Sequence, residues 1–321
     1  MSLTLRPSNL EEFKGNDEIK NNLRIYIDSA KKNSKALDHI LLFGSPGMGK
    51  TSLSMIIAKE LGKQIKIVQG GNLMKNTDIT NLVLSINEGD VIFIDEIHAI
   101  NPNIYELLYS VMEDYAIDIT IGKEFNSKVT RLSVPHFTLI GATTFLGKIP
   151  LALEERFGII LNLKSYSTET IKEILIECAK KLGVSLREEE FEILSKNCKN
   201  IPRNAIRILK RVYDFKNTNP DISIEKILEN LKIYADGLEE DDVHYLRILK
   251  KYVKPIGLKT ISYTLNIDQN TIENKIEPFL LNNYYIGKTS NGRIILSAGE
   301  KLLATLNKSS DKSEPSLLDL K

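Results

Sequence analysis

The sequence has only two cysteines, Cys178 and Cys198, and no Cys-x-x-Cys spacing. That excludes a disulfide framework and the common zinc-binding patterns as sources of stability. It has no apolar stretch long enough to cross a membrane and no signal-like apolar run near its N-terminus. The expectation is therefore a cytoplasmic protein with no membrane segment. It has no excess of charge: 43 Lys and Arg stand against 42 Asp and Glu, a net charge of +1. No global basic field marks the chain for nucleic acid, so any basic face must be local. Tryptophan is absent, a bias we attribute to base composition rather than to the physics of the fold. What is present is ordinary for a globular protein, 42% hydrophobic and 26% charged. With 321 residues there is room for about two or three domains. Cys178 falls on the helical stripe Ile171, Ile174, Leu175, Cys178, Leu182, the pattern of a core thiol.

The strongest local signal is residues 44–52, Gly-Ser-Pro-Gly-Met-Gly-Lys-Thr-Ser. Gly44, Gly49, Lys50 and Thr51 have the spacing of a phosphate-binding loop. An apolar run, Ile40-Leu41-Leu42-Phe43, precedes it as a buried strand would. Leu53, Ile56, Ile57 and Leu61 follow at helical spacing, with Gly62 placed to end the helix. Strand, glycine turn and helix N-terminus together make an anion site. Gly44, Pro46, Gly47, Gly49, Lys50, Thr51 and Ser52 are the candidate nucleotide contacts. Lys50 would face the phosphates, and Thr51 would hold Mg²⁺ beside ATP. A second apolar run, residues 91–94, ends in Asp95-Glu96. Asp95 suits the metal shell and Glu96 suits polarising the attacking water. A third, residues 137–141, leads to Ala142-Thr143-Thr144, hydroxyls placed to sense a γ-phosphate or simply to end a strand.

Residues 117–134 break this α/β rhythm. Ile117, Ile119 and Ile121 alternate with polar residues, a turn follows, and a second run returns, which reads as an inserted β-hairpin. Its isoleucines either pack on a neighbouring helix or bind another protein. From 165 to 237 the pattern is four helices, with Pro202 in the first turn of the third and Arg203 beside it. From 238 to 306 three helices precede two runs around Asn291-Gly292, the turn signal of a hairpin. This is the pattern of a winged helix. Between Val243 and Leu306, seven lysines and two arginines face three glutamates and one aspartate, a local net charge of +5 that suits DNA phosphates. Lys288 and Arg293 are the candidate DNA contacts. Residues 307–321, rich in Ser and Lys, are expected to be a disordered tail.

These motifs together resemble the AAA+ ATPases and, within them, the RuvB family of Holliday-junction branch-migration motors. The resemblance spans about residues 3 to 304. It rests on Leu5-Arg6-Pro7, Asp95-Glu96-Ile97-His98, Glu113-Asp114-Tyr115, Gly141-Ala142-Thr143-Thr144, Arg156-Phe157-Gly158 and Pro202-Arg203-Asn204. It implies an α/β fold: a P-loop domain with a parallel sheet (1–164), an all-α lid (165–237) and a C-terminal winged helix (238–306). It implies that Thr144 and Arg203 sense nucleotide, and that Arg156 is a finger inserted into a neighbour's ATP site. Tyr166, Leu5 and Arg6 would contact the adenine. The hairpin would dock on a RuvA-type junction-binding partner through Ile117, Ile119 and Ile121. The activity implied is ATP hydrolysis driving branch migration, as a homo-hexamer on duplex DNA and Holliday junctions, alongside a RuvC-type resolvase. The chain departs from the family at Phe145 and Glu154, where arginines are usual, and in a wing reduced to Lys288, Asn291 and Arg293. Two other readings remain open: another AAA+ role on DNA, as a clamp loader or replication initiator, and an ATP-dependent protein scaffold that moves no DNA.

Overall fold

The first half of the chain interleaves short apolar runs with amphipathic helices, and the apolar runs pair. The computed structural model describes residues 5–121 and 128–310. Helix α1 (Asp17–Lys32) leads to β1 (Ile40–Phe43), α2 (Lys50–Leu61), β2 (Ile65–Gln69), α3 (Asn76–Val83), β3 (Val91–Asp95) and α4 (Tyr105–Asp114). The hairpin β4 (Ala116–Ile121) and β5 (Lys128–Ser133) follows, then β6 (Thr138–Thr143), α5 (Leu151–Glu154) and β7 (Ile159–Asn162). The sheet order is β2-β3-β6-β1-β7, with every pairing parallel. Ile40, Leu41 and Leu42 are fully buried, as are Val91, Phe93 and Ile94; strands covered on both faces need apolar residues throughout rather than alternation. Because the strands are parallel and in register, Phe43, Asp95, Thr143 and Asn162 all finish at one edge. That edge, where the chain order reverses across the sheet, is where open α/β sheets bind ligands.

The hairpin forms with Ile117 opposite Leu132 and Ile119 opposite Thr130. Its apolar side has a place in the fold, which corrects the docking expectation for Ile117. That side chain is 1% exposed, in one core cluster with Leu108, Val111 and Phe137. The cause is local: Tyr115 adopts a left-handed conformation (φ 48°) at the end of α4 and turns the chain back at once. The first strand therefore falls onto the helix's buried face. Ile119 packs half-buried at the margin of the same cluster. The Ile121 side chain and the turn 122–127 lie outside the described residues. Among the described residues, the large apolar side chains that the hairpin exposes are on β5: Val129, 64% exposed, and Leu132.

The remaining helices are α6 (Thr168–Leu182), α7 (Glu188–Lys196), α8 (Pro202–Thr218), α9 (Ile224–Asn230), α10 (Glu240–Lys251) and α11 (Leu258–Leu265). Next come α12 (Gln269–Thr271), a π-helical turn (Ile272–Ile276), α13 (Glu277–Asn282), β8 (Ile286–Thr289), β9 (Gly292–Ile295) and α14 (Ser297–Ser310). The described residues separate into two compact units: one runs to Ile174 and includes Ile201–Arg203, and the other comprises Leu175–Asn200 and the chain from Asn204 onward. Pro278 explains the π turn: it has no N–H for the fourth residue back, and its ring crowds that carbonyl, so the preceding turn widens. The wing's loop is Ser290-Asn291, not Asn291-Gly292, since Thr289 pairs with Gly292. Gly292 serves a different need. At φ 138° it lies so close to Ile256 that a Cβ would come within 2.3 Å of the Ile256 carbonyl oxygen. That approach lets Ile256 and Arg293 exchange backbone hydrogen bonds of 3.0 and 2.8 Å. Helix α14 runs through Ser310, past residue 307 where the tail was expected to begin; residues 311–321 lie outside the described residues. Cys178 and Cys198 are both buried, and burial pushes the Cys178 thiol up to about 11.

Candidate active site

The site is assembled at the C-terminal ends of β1, β3 and β6. Between β1 and α2, Gly44, Gly47 and Gly49 have φ of 141°, 83° and 101°. At Gly47 a Cβ would come within 2.9 Å of the Cβ of Arg203, so only glycine lets segment 201–203 lie against the loop. The loop delivers the chain into the first turn of α2, whose N–H groups lack intrahelical partners and favour an anion. Pro46 is exposed on this loop and Ser52 is half-buried in the first helical turn. Lys50 folds back over the loop, its Nζ donating to the Gly44 carbonyl at 2.7 Å and the Ser45 carbonyl at 3.1 Å. The residue is 7% exposed. Burial holds the ammonium below its ordinary pKa; Glu96 and Asp95 oppose that shift, and nearby Arg203 adds to it.

Thr51 donates its hydroxyl to Asp95 Oδ2 at 3.4 Å, and the Glu96 N–H donates to Asp95 Oδ1 at 3.1 Å. Glu96 itself has left-handed backbone (φ 50°, ψ 52°), a conformation costing about 1–3 kcal/mol in a residue with a Cβ. Its Oε2 accepts from the Thr144 hydroxyl at 3.3 Å and lies 3.2 Å from His98 Nδ1. The same nitrogen is 2.9 Å from the Thr143 hydroxyl, and the Phe145 ring meets the imidazole edge-on at 5.2 Å. Beneath the loop, Tyr166 donates its hydroxyl to the Met48 carbonyl at 3.0 Å. Burial pushes that phenol up to about 12. Leu5 is buried, and Arg6 reaches Met55 on α2, its Nη1 lying 3.3 Å from the sulfur. No cluster of three or more Asp, Glu, His or Cys able to hold a metal occurs among the described residues. One carboxylate beside one hydroxyl suits Mg²⁺, which takes most of its ligands from phosphate and water.

The structure thus gathers Lys50, Thr51, Asp95, Glu96, Thr144 and Arg203, with Tyr166 bracing the loop. It does not bring Arg156 to them. Arg156 precedes β7 and packs on α4: its guanidinium lies 4.3 Å over the Tyr109 ring and 3.0 Å from Glu113. Next to Glu113, the Met112 carbonyl meets His39 Nε2 at 3.1 Å, and His39 immediately precedes β1. Arg156 therefore occupies the sheet edge where β1 begins, whereas Lys50 follows the edge where it ends. Its Nε is buried with no hydrogen-bond partner among the described residues.

The wing cations are placed differently from expectation. Lys288 Nζ is 2.7 Å from Glu277 Oε2, and Arg293 donates to Glu277 and Glu273, both at 2.9 Å. Tyr245 donates to the same Glu277 at 2.8 Å. Burial raises the Glu277 carboxyl, but hydrogen bonds from Arg293, Lys288 and Tyr245 outweigh it and leave the pKa below its ordinary value. Both cations are ion-paired to carboxylates within the fold, Lys288 with its side chain still 43% exposed.

The sequence motifs include His98 and Glu113 without giving either a role, and Tyr109 stands in none of them. His98 follows the acidic pair by two residues, and Tyr109 and Glu113 are four apart on one helix. Those spacings were the available signals.

Three family models match the chain in succession: the Holliday junction DNA helicase RuvB P-loop domain over residues 5–163, the RuvB AAA lid domain over 166–235 and the RuvB C-terminal winged helix domain over 235–304. The Holliday junction branch migration complex subunit RuvB of Mycoplasma genitalium is 46% identical over 304 residues, covering 94% of this chain and 99% of that one. Its counterpart in Ureaplasma urealyticum is 48% identical over 299 residues, covering 93% and 96%. Among solved structures, the Thermotoga maritima RuvB Holliday junction branch migration motor has a TM-score of 0.82 and 36% identity, covering 94% of this chain and 98% of that one. With its P-loop, lid and winged-helix sequences all matched, the chain belongs to the RuvB family.

Proposed function

We propose that this protein is an ATP-driven DNA motor that works as a subunit of a closed ring and moves the duplex arms of a Holliday junction. The observation that carries the ring is the place of Arg156. It stands at the start of β1, and the strand's three Cα steps alone separate it by about 10 Å from the loop at the other end. An arginine that serves ATP hydrolysis from there serves a neighbour's ATP. Tyr109 and Glu113 hold it in place, with its side chain 21% exposed.

The chemistry divides among residues already together. The loop 44–52 cradles the phosphates, Lys50 and Arg203 offset the charge of the β- and γ-groups, and Leu5, Arg6 and Tyr166 flank the base. Thr51 and Asp95 would hold Mg²⁺, which when bound neutralises phosphate charge. Water attacks the γ-phosphorus as the bond to the β–γ bridging oxygen breaks. Glu96 accepts the proton from that water, oriented by Thr144 and His98. Arg156 of an adjacent subunit stabilises the charge on the transferring group. The units act as P-loop domain, lid and winged helix divided near 164 and 237. The ring is a homo-hexamer in the cytoplasm; no described helix is long and apolar enough to cross a membrane. A RuvA-type partner docks on the hairpin through Val129 and Leu132, the large apolar groups exposed among its described residues, and a RuvC-type resolvase acts on the same junction. The test is branch migration of a synthetic four-way junction with ATP, with and without a RuvA-type protein. Strand exchange that needs both ATP and the partner is expected; a junction left intact with both present would overturn the reading.

A further inference from the structure

The winged-helix region carries two sets of positive charge. One set is consumed internally: Lys288 and Arg293 by Glu277 and Glu273, and Lys275 by Glu239 at 3.5 Å. Besides Lys301 on α14, the other is Arg247, Lys250, Lys251, Lys254 and Lys259, all exposed and without an ion pair among the described residues. They fall in a stretch with no Asp or Glu from Val243 to Ile267. This stretch covers most of α10, a loop, and all of α11; the cations lie on the last turns of α10, the loop and the first turn of α11.

Helix stability accounts for only part of that set. Lys250 and Lys251 lie in the last turn of α10, where a cation is favoured by the helix dipole. Lys254 lies in the loop and gains nothing from a dipole. Lys259 lies in the first turn of α11, which has no acidic residue; the dipole there disfavours a cation. The same stretch exposes Tyr263 one turn beyond Lys259, 76% exposed, with a hydroxyl suited to a phosphate oxygen. The loop is also tied to the wing, because Ile256 exchanges backbone hydrogen bonds with Arg293. The free cations thus sit on a segment hydrogen-bonded to the strand whose own cations are neutralised.

We propose that this protein grips the duplex backbone through segment 247–259, with Lys250, Lys251 and Lys254 at its centre, rather than through Lys288 and Arg293 of the wing. The proposal rests on the DNA-motor reading and names the surface that reading needs.

The test is equilibrium binding of the full chain, with Mg²⁺ and a slowly hydrolysed ATP analogue, to a fluorescent duplex of about 30 base pairs across roughly 50 to 300 mM KCl. Each phosphate contact contributes about 0.9 to the slope of log K against log salt. The triple substitution Lys250→Gln, Lys251→Gln, Lys254→Gln is expected to flatten the slope by about 3 and weaken binding on the order of 10²-fold near 0.1 M. Lys254→Gln alone, in a loop outside any helix, is expected to remove about one unit. Lys288→Gln is expected to leave the slope unchanged, and ATP hydrolysis without DNA should be unaffected in the triple variant. A wild-type slope in the triple variant, or a unit lost by Lys288→Gln alone, overturns the proposal. Wild-type protein that binds no duplex at the lowest salt overturns the motor reading itself, a different result from a retained slope.

Discussion

Two buried clusters of charge, one in each unit, follow opposite rules. Around the P-loop, Lys50 is buried against two backbone carbonyls and makes no ion pair among the described residues, while Asp95 and Glu96 stay half-exposed nearby. Below the wing, Glu277 has no exposure at all and is saturated by Arg293, Lys288 and Tyr245. Charge left without an opposite partner marks a site waiting for a ligand; charge fully matched inside the fold marks scaffold. Arg156 lies between the two. Glu113 and Tyr109 orient it, yet one nitrogen is unpaired, so it is held in place without being used up.

The largest expected effect separates Arg156 from both. Arg156→Ala should lower turnover by about 10³ to 10⁵, the usual worth of an arginine finger, without loss of nucleotide binding. Mixed with Glu96→Gln subunits it should regain part of its ATPase, because mixed interfaces contain some intact pairs. Verified mixed rings with no rescue would mean that the finger does not act between subunits.

Next is Lys50→Ala. Turnover should fall by about 10² to 10³, as when a preorganised electrostatic donor is removed. Thermal stability should hold or rise, since the change releases an ammonium whose burial outweighs the attraction of Glu96 and Asp95. A marked drop in Tm would erase the contrast with the wing.

Glu277→Gln should do the reverse, leaving ATP turnover without DNA unchanged but destabilising the fold. Breaking a buried ion pair costs about 3–5 kcal/mol, and the lower end applies because Glu273 still faces Arg293. The pH dependence has a definite sign. The folded carboxyl lies below its ordinary value of 4.5, so its contribution is complete above that pH and is lost as pH falls through the folded pKa. Urea midpoints between pH 3 and 7 should converge for variant and wild type at the acid end, and a constant gap would refute the assignment.

The comparison also explains what could be read from sequence. The P-loop, the acidic pair and the central strands were legible because their requirements are local: glycine for φ near 100°, apolar residues for a strand buried on both faces. The wing cations were not, because whether Lys288 is free depends on Glu277, brought beneath it by a helix that a π turn bends around Pro278. A charge count reads +5 either way. Ile117 misled for a similar reason. Alternation fixes which residues share a face but not what covers that face, and the cover comes from the turn at Tyr115. At Asn291-Gly292 a sound turn signal gave way to the glycine's tertiary contact with Ile256.

The smallest effect tests how finely the open cluster is built. His98 meets Glu96 and Thr143 through one nitrogen, Nδ1. If that nitrogen orients the catalytic carboxylate, the loss should fall on kcat and not on KM. His98→Ala should lower kcat by about 10-fold, near 1.4 kcal/mol, the scale of one polar contact to a charged group. The replacement residue then becomes a ruler. An asparagine places an N–H near the Nδ1 position, whereas a glutamine places it near Nε2. His98→Asn should therefore recover most of the rate and His98→Gln little. Equal losses in all three variants would make the imidazole a packing group beneath Phe145, and the orientation of Glu96 would rest on Thr144 alone.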